Sequence, residues 1–502
     1  PEPVAIRVRA QYCGSEPPIN RRVNTAVYHA IDTPLAAPSG ARIMTGRSSL
    51  AAVSPLDGRY ARYTEPLVPY ASEQALVRAR VRVEVEYLIT LADTVDEVDL
   101  SQGERDRLRD CYESFDEDDA AVVKQLETEG WKEYAATNHD VKAVEYFIRE
   151  HAPEPAHPFI HFGLTSEDVN NLAQRLLVKP AIEEVLAPKL RELRDTLTQM
   201  AQEHRGVAML AHTHGQPATP TTFGKELAVY AARLGRAVAE LDRAAADLTG
   251  KLAGASGTYA AHEVAYPDID WPAFSESFTT SLGLSHRALS TQVNPCGDLQ
   301  SVFDALRNAN NVLLDMDRDI WLYVSKRYLG QDTVAGETGS STMPHKVNPI
   351  DFENSEGNLS KANSDLVFLG DYVTTSRLQR DLSDSTVKRN IGAAFAHCLI
   401  GYEKASRGLA KVTPNEQVMR EELESTPEII GEAVQTILRR EGHDDAYERV
   451  KELTRGQRVT LADFRALFDD LDVSESVRAE LHALEPTNYV GVAADLVDDI
   501  DR

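Results

Sequence analysis

Cysteine is scarce: Cys13, Cys111, Cys296 and Cys398 are the 4 in 502 residues, and none stands in CxxC spacing. That spacing excludes a disulfide framework and a zinc ribbon, and it fits a reducing cytoplasm. No run of 18 apolar residues occurs, so nothing in the chain reads as membrane-spanning. No basic-then-apolar start reads as a secretory signal. Glycine-rich phosphate loops of the P-loop or dinucleotide type are missing, and no strand-like alternation is read as comparable in strength to the helical periodicity. Positive charge is short as well, 53 Lys and Arg against 79 Asp and Glu, a net of −26. A nucleic-acid partner would require the opposite sign.

The acidic residues are not gathered in a tail. Runs such as "DTVDEVD", "ESFDEDD" and "LVDDIDR" are spread along the chain, and lysine is few beside arginine. This pattern predicts a solvated acidic surface of the halophilic kind, where salt screens self-repulsion; an acidic protein of ordinary origin is the alternative. Residues 1–43 differ, with five arginines against Glu2, Glu16 and Asp32 and no apolar period. They are expected to be a disordered or spurious N-terminal extension, with Met44 as the biological start; an ordinary flexible arm is the alternative.

What is present is helical periodicity. From Phe223 the apolar positions Leu227, Tyr230, Leu234, Val238, Leu241, Ala245, Leu248 and Leu252 alternate steps of four and three, a bundle seam. Some 30 residues at 1.5 Å each make a rod of ~45 Å. Leu299 to Tyr323 predicts a second rod, and Leu172 to Met200 a third with Pro180 and Pro188 as interruptions. The fold class is all-α, built on a central bundle of long helices. Rods this long with few aromatics find partner seams in other copies, which predicts an oligomer.

Polar clusters interrupt this text. In "AHTHGQPATPTT" (211–222), His212 and His214 precede Gly215 and two prolines, so they should end or precede a helix. A His-x-His pair could ligate metal, but no carboxylate or third histidine stands nearby, and the metal reading is set aside. Helix-boundary turn chemistry and a histidine proton donor remain. In "HFGLTSEDVNN" (161–171), Thr165 with Asp168 makes a capping box; a helix start with free amides can also receive an anion. "SRLQRDLSDSTVKRN" (376–390) crowds Arg377, Arg380, Lys388 and Arg389 together, either a solvated basic face or an anion clamp.

"GSSTMPHKVNP" (339–349) closely resembles the signature loop of the fumarase/aspartase superfamily. His345 at its variable position is similar to the adenylosuccinate-cleaving branch, where fumarases and aspartases look like Gly and argininosuccinate lyases like Gln. "SPLDGRY", "TNHDVKAVEYF", "FIHF", "TSEDVNNL", "THGQPATP", "DFENSEGN", "RDLSDSTV" and "KELTRG" extend the resemblance, in order, from about Ser48 to the C-terminus. It implies a three-domain fold: residues 44–155 N-terminal, 156–405 the central bundle carrying loop 339–349, and 406–502 C-terminal. It implies a cytoplasmic homotetramer, each site assembled from three subunits, without metal or organic cofactor. The implied reaction is a β-elimination releasing fumarate, from adenylosuccinate to AMP and from SAICAR to AICAR. A sibling lyase, or a non-catalytic relative on the same bundle, is the alternative.

By the same resemblance Ser340 is the base, with adjacent Ser341 as the competing assignment, and His214 is the general acid. Lys346 and Asn348 would grip a succinyl carboxylate. Arg59, Tyr60, Asn138, His139, Asp140, Thr165, Ser166 and Gln292 would contact substrate, with His161 in support. Arg380, Ser385 and Arg389 would hold the phosphate and its neighbours. His212 stands where many relatives carry arginine. Gly339 and Gly357 flank the loop and would let it close as a lid.

Overall fold

The computed structural model describes residues 49–332, 343, 346–456 and 459–502. The extension 1–43, Met44, Gly339, Ser340, Ser341 and His345 lie outside the described residues.

An N-terminal group of helices comprises α1 (Glu73–Ala92), α2 (Gln102–Glu113), α3 (Glu117–Thr128) and α4 (Asp140–Arg149). Side-chain caps start them: Ser72 accepts from the Ala75 amide at 3.1 Å, and Asp116 from those of Asp118 and Asp119. Next come α5 (Ser166–Pro180) and α6 (Ala187–Glu203). The interruption expected at Pro180 and Pro188 takes the form of a π-helical turn over Ala181–Leu186, between the two prolines, through which the rod stays helical.

The stretch 208–222 is a β-hairpin, β1 (Ala208–Thr213) and β2 (Gln216–Thr222), rather than a simple helix boundary. His214 and Gly215 form its two-residue turn, both at positive φ, 54° and 70°. Thr222 then caps α7 (Phe223–Ala246), accepting from the Lys225 amide. Leu227, Leu234 and Leu241 are fully buried along α7, as their spacing predicts. The rod is shorter than expected, because the chain turns after Ala246 and Thr249–Gly250 pairs in parallel with Ser285–His286.

Among the described residues the longest helix is α8 (Gly297–Ser325), 29 residues, followed by β3 (Leu329–Gln331). Then come α9 (Ile350–Val373), the short α10 (Ser383–Lys388) and α11 (Ile391–Leu409). Gly357 falls inside α9, so it is not a hinge. β4 (Val412–Pro414) pairs with β3, and α12 (Glu416–Glu424) and α13 (Gly431–Arg440) lead into the C-terminal helices.

Helices α6, α7, α8, α9 and α11 pack as the bundle. Its polarity is fixed by contacts at one end: Asp351, opening α9, pairs with Lys404 and Lys411 at the close of α11, and Trp321 near the end of α8 reaches Glu353. Thus α9 runs antiparallel to both α8 and α11. Leu210 of the hairpin joins a second apolar cluster with Leu423, Ile430, Val434, Leu438, Phe464 and Phe468. Among the described residues no helix is long and apolar enough to cross a membrane.

Candidate active site

Two helix N-termini meet at the end of the bundle where α8 begins. Asn138 adopts φ 48°, and His139 then caps α4, its Nδ1 accepting from the Lys142 amide at 3.2 Å. The other ring nitrogen, Nε2, lies 3.4 Å from Ser166 Oγ in the first turn of α5. Thr165 closes the expected capping box, its amide donating to Asp168 at 2.9 Å. Asp168 also meets the buried Lys251 ammonium at 2.7 Å, which pins the start of α5 to the core.

Asp140 opens α4 and receives two guanidiniums, Arg80 at 2.8 Å and Arg389 at 3.4 Å. Burial works to raise its pKa, but Arg80, the Val141 amide and Arg389 outweigh it and hold the carboxyl below its ordinary value. Arg389 also lies 3.4 Å from Glu73 and from Ser385 Oγ, one turn earlier. Arg380 donates to Gln292 Oε1 at 3.0 Å, and Gln292 donates to the Ala255 carbonyl at 2.8 Å. The expected residues Asn138, His139, Asp140, Thr165, Ser166, Gln292, Arg380, Ser385 and Arg389 therefore share one end of the molecule.

Lys388 departs from the expected clamp. It is buried, and its ammonium is committed to Asp384 at 2.6 Å and Glu167 at 3.3 Å. Glu167, also buried, lies 3.8 Å from Arg380 and so ties α5 to the basic segment. A cavity of about 180 Å³ opens behind Ser385 and Arg389, walled by Arg80, Glu167, Asn170 and apolar Leu76, Leu177 and Phe395.

His161, at φ 60°, places Nδ1 2.5 Å from the fully buried Glu84 of α1. Burial would lower the imidazole pKa, yet the Glu84 charge and hydrogen bond raise it above the usual value.

The remaining described candidates, His214, Lys346, Asn348, Arg59 and Tyr60, stand towards the opposite end. His214 is exposed at the hairpin tip. Two residues before that tip, opposite Pro217, His212 Nε2 meets the Lys326 ammonium at 3.0 Å. Lys326 and Tyr328, just past α8, both bond Glu422 of α12. Lys346 and Asn348 lead directly into α9, and the Val347 carbonyl accepts from Gln331 at 3.0 Å. Arg59 is exposed and Tyr60 packs against Tyr63, whose ring faces Lys404. Lys404 follows Arg389 by 15 positions of nearly continuous helix, about 22 Å at 1.5 Å per residue. The 29 residues of α8 separate Gln292 from the hairpin contact by about 44 Å. The described candidate residues thus fall into two groups, one at each end of the bundle.

Sequence reasoning passed over Arg80, Glu84 and Glu422. Arg80 and Glu84 lie one turn apart among buried valines, but Arg78, Arg82 and Glu86 alternate with them in the sequence and mask the buried pair.

The chain matches a family model described as lyase over residues 58–363 and one described as adenylosuccinate lyase C-terminal over 376–490. The adenylosuccinate lyase of Legionella pneumophila (strain Corby) is 44% identical over 458 residues, covering 90% of this chain and 98% of that protein. Those of Haemophilus influenzae and Escherichia coli K12 are also 44% identical, each covering 90% of this chain and 99% of the relative. Among solved structures, a fumarate lyase from Mesorhizobium sp. BNC1 superposes with TM-score 0.68 at 19% identity, covering 87% of this chain and 97% of that one. The 3-carboxy-cis,cis-muconate lactonizing enzyme of Pseudomonas putida gives 0.68 at 21%, covering 88% and 97%. The latter two share the fold. The chain belongs to the adenylosuccinate lyase family of carbon–nitrogen lyases.

Proposed function

We propose that this enzyme eliminates fumarate from adenylosuccinate, giving AMP, and from SAICAR, giving AICAR. The observation that carries the reading is the meeting of His139 with Ser166, and of Arg380 and Arg389 with Gln292 and Ser385, on a chain whose relatives bear this activity in their names. Arg380, Ser385 and Arg389 offer a phosphate-binding set in an otherwise acidic protein. His139 and Ser166, on two facing helix starts, offer donors to the nucleotide and succinyl groups.

In the proposed chemistry Ser340 takes the proton from the carbon next to the succinyl carboxylate, with Ser341 as the competing base. Lys346 and Asn348 hold that carboxylate as negative charge develops on it. The C–N bond breaks, its electron pair goes to the leaving nitrogen, and His214 supplies that nitrogen with a proton. No metal or organic cofactor enters these steps.

The division of these residues between the bundle's ends supports a site shared among copies, in a homotetramer with antiparallel bundles. Val229 on α7, Trp321 and Leu322 on α8, and Val367 and Phe368 on α9 are exposed apolar residues on the long helices, and they suit such contacts. We assign the enzyme to the cytoplasm and read its charge of −26 as a halophilic surface.

The test is an ultraviolet assay of purified protein with each substrate in high salt, beside His214→Ala and Ser340→Ala. The expected result is fumarate and AMP from wild type, with losses on the order of 10²–10⁴-fold in both variants. Wild type silent on both substrates would overturn the substrate assignment. Activity that is higher in dilute buffer than in molar salt would refute the halophilic reading.

A further inference from the structure

We infer that Arg80, a buried residue of α1, is a positioning residue that sets the charge balance of the phosphate end of the site; this rests on the function proposed above. Arg80 as a whole is 2% exposed. Nε donates to Asn170 Oδ1 at 2.8 Å, on the helix opened by Thr165 and Ser166. Nη2 meets Asp140 at 2.8 Å, next to His139. Nη1 has no hydrogen-bond partner among the described residues, and Arg80 walls the cavity that Ser385 and Arg389 also line.

The charges decide its role. Arg389, the residue facing the phosphate, lies 3.4 Å from each of two carboxylates, Asp140 and Glu73. Left alone, those three groups sum to one negative charge, repelling a phosphate dianion. Arg80 holds Asp140 more closely than Arg389 does and brings the set to neutrality. The nearby Lys388 does not serve this purpose, because Glu167 and Asp384 already compensate it. Arg80 therefore leaves Arg389 available as a cation, and its bond to Asn170 fixes the two motif-bearing helices in register.

The experiment measures AMP, inorganic phosphate and fumarate binding, with steady-state kinetics, for Arg80→Gln, Arg80→Lys and Arg80→Gln combined with Glu73→Gln. Arg80→Gln should weaken AMP and inorganic phosphate on the order of 10- to 100-fold, since one uncompensated charge now faces the anion. Fumarate binding should hold, and KM should rise while kcat stays within about threefold. Arg80→Lys keeps the charge and should retain most AMP affinity. The added Glu73→Gln should restore much of what Arg80→Gln loses, because the set is neutral again. Equal weakening of AMP and fumarate, Arg80→Lys failing as badly as Arg80→Gln, or no restoration by Glu73→Gln would each overturn the inference. Wild type that binds neither AMP nor inorganic phosphate would instead refute the nucleotide reading itself.

Discussion

Replacing Asp298 with Asn should unsettle the whole candidate site although Asp298 touches none of it. Its carboxylate pairs with Arg175 of α5 at 2.8 and 3.1 Å, and both side chains are almost wholly buried. It also accepts from Thr249, from the amide at 2.9 Å and the hydroxyl at 3.0 Å. This one group thus joins α5, which carries Thr165 and Ser166, to the start of α8, which follows Gln292. Burial alone would raise its pKa; the Arg175 charge and hydrogen bonds, with the Thr249 and Leu299 amides, bring it down from 3.8 to about 2. At ~1.4 kcal/mol per pKa unit that shift is worth about 2 kcal/mol. Asp298→Asn also leaves Arg175 buried without a counter-charge, so the total loss should approach 3–5 kcal/mol. Because the folded pKa is depressed, the contribution is complete above the unfolded value near 4 and fades as pH falls towards 2. Urea midpoints at fixed protein concentration should therefore separate wild type from Asp298→Asn by a constant gap from pH 7 to 5. The gap should narrow below pH 4. Arg175→Met combined with Asp298→Leu should recover part of the loss, since no charge is then buried. A midpoint unchanged in Asp298→Asn, or a gap as wide at pH 3 as at pH 7, would refute the reasoning.

Three further outcomes are expected. Glu84→Gln should lower the His161 pKa, read by NMR titration of the imidazole. Wild type carries a His161–Glu84 contribution that is complete below the ordinary histidine value and lost as pH rises through the raised one; in Glu84→Gln that alkaline decline should flatten, and an unmoved titration would count against the pairing. Gly163→Ala should cost about 2 kcal/mol or more, because φ is +68° and a Cβ would stand 2.6 Å from the His262 ring; thermal melting as late as wild type would contradict it. Arg380→Ala frees the Gln292 side chain, and KM for the nucleotide substrate should rise about tenfold or more in steady-state assays; an unchanged KM would remove Arg380 from the site.

How far the fold could be read depended on which faces are buried. The Leu227, Leu234, Leu241 stripe was legible because α7 buries one side and exposes another. Helix α1 was harder: "RARVRVEVEY" alternates like a strand, yet it is a helix buried on most sides, and Arg80 and Glu84 were hidden in that alternation. The hairpin at 208–222 was obscured by Pro217 and Pro220. A two-stranded ribbon has only edges, which tolerate proline, and there they pair opposite His212 and Leu210. The capping box at Thr165 was readable because its partners are three residues apart. Which end of the bundle each motif occupies was not readable, since chain order says nothing about where antiparallel rods meet. Sequence spacing pairs Lys388 with Asp384 one turn earlier, but its burial against Glu167, 221 positions away, was not readable.

The most direct test of the central claim mixes two inactive variants. His139→Ala and His214→Ala, one from each end of the bundle and each purified alone, should be nearly silent with adenylosuccinate. Denatured together and refolded into mixed oligomers, they should regain a measurable share of wild-type activity, because some sites would draw an intact His139 from one copy and an intact His214 from another. Mixed oligomers that form, as shown by two different affinity tags eluting together, yet stay silent would contradict a site shared between copies of the chain.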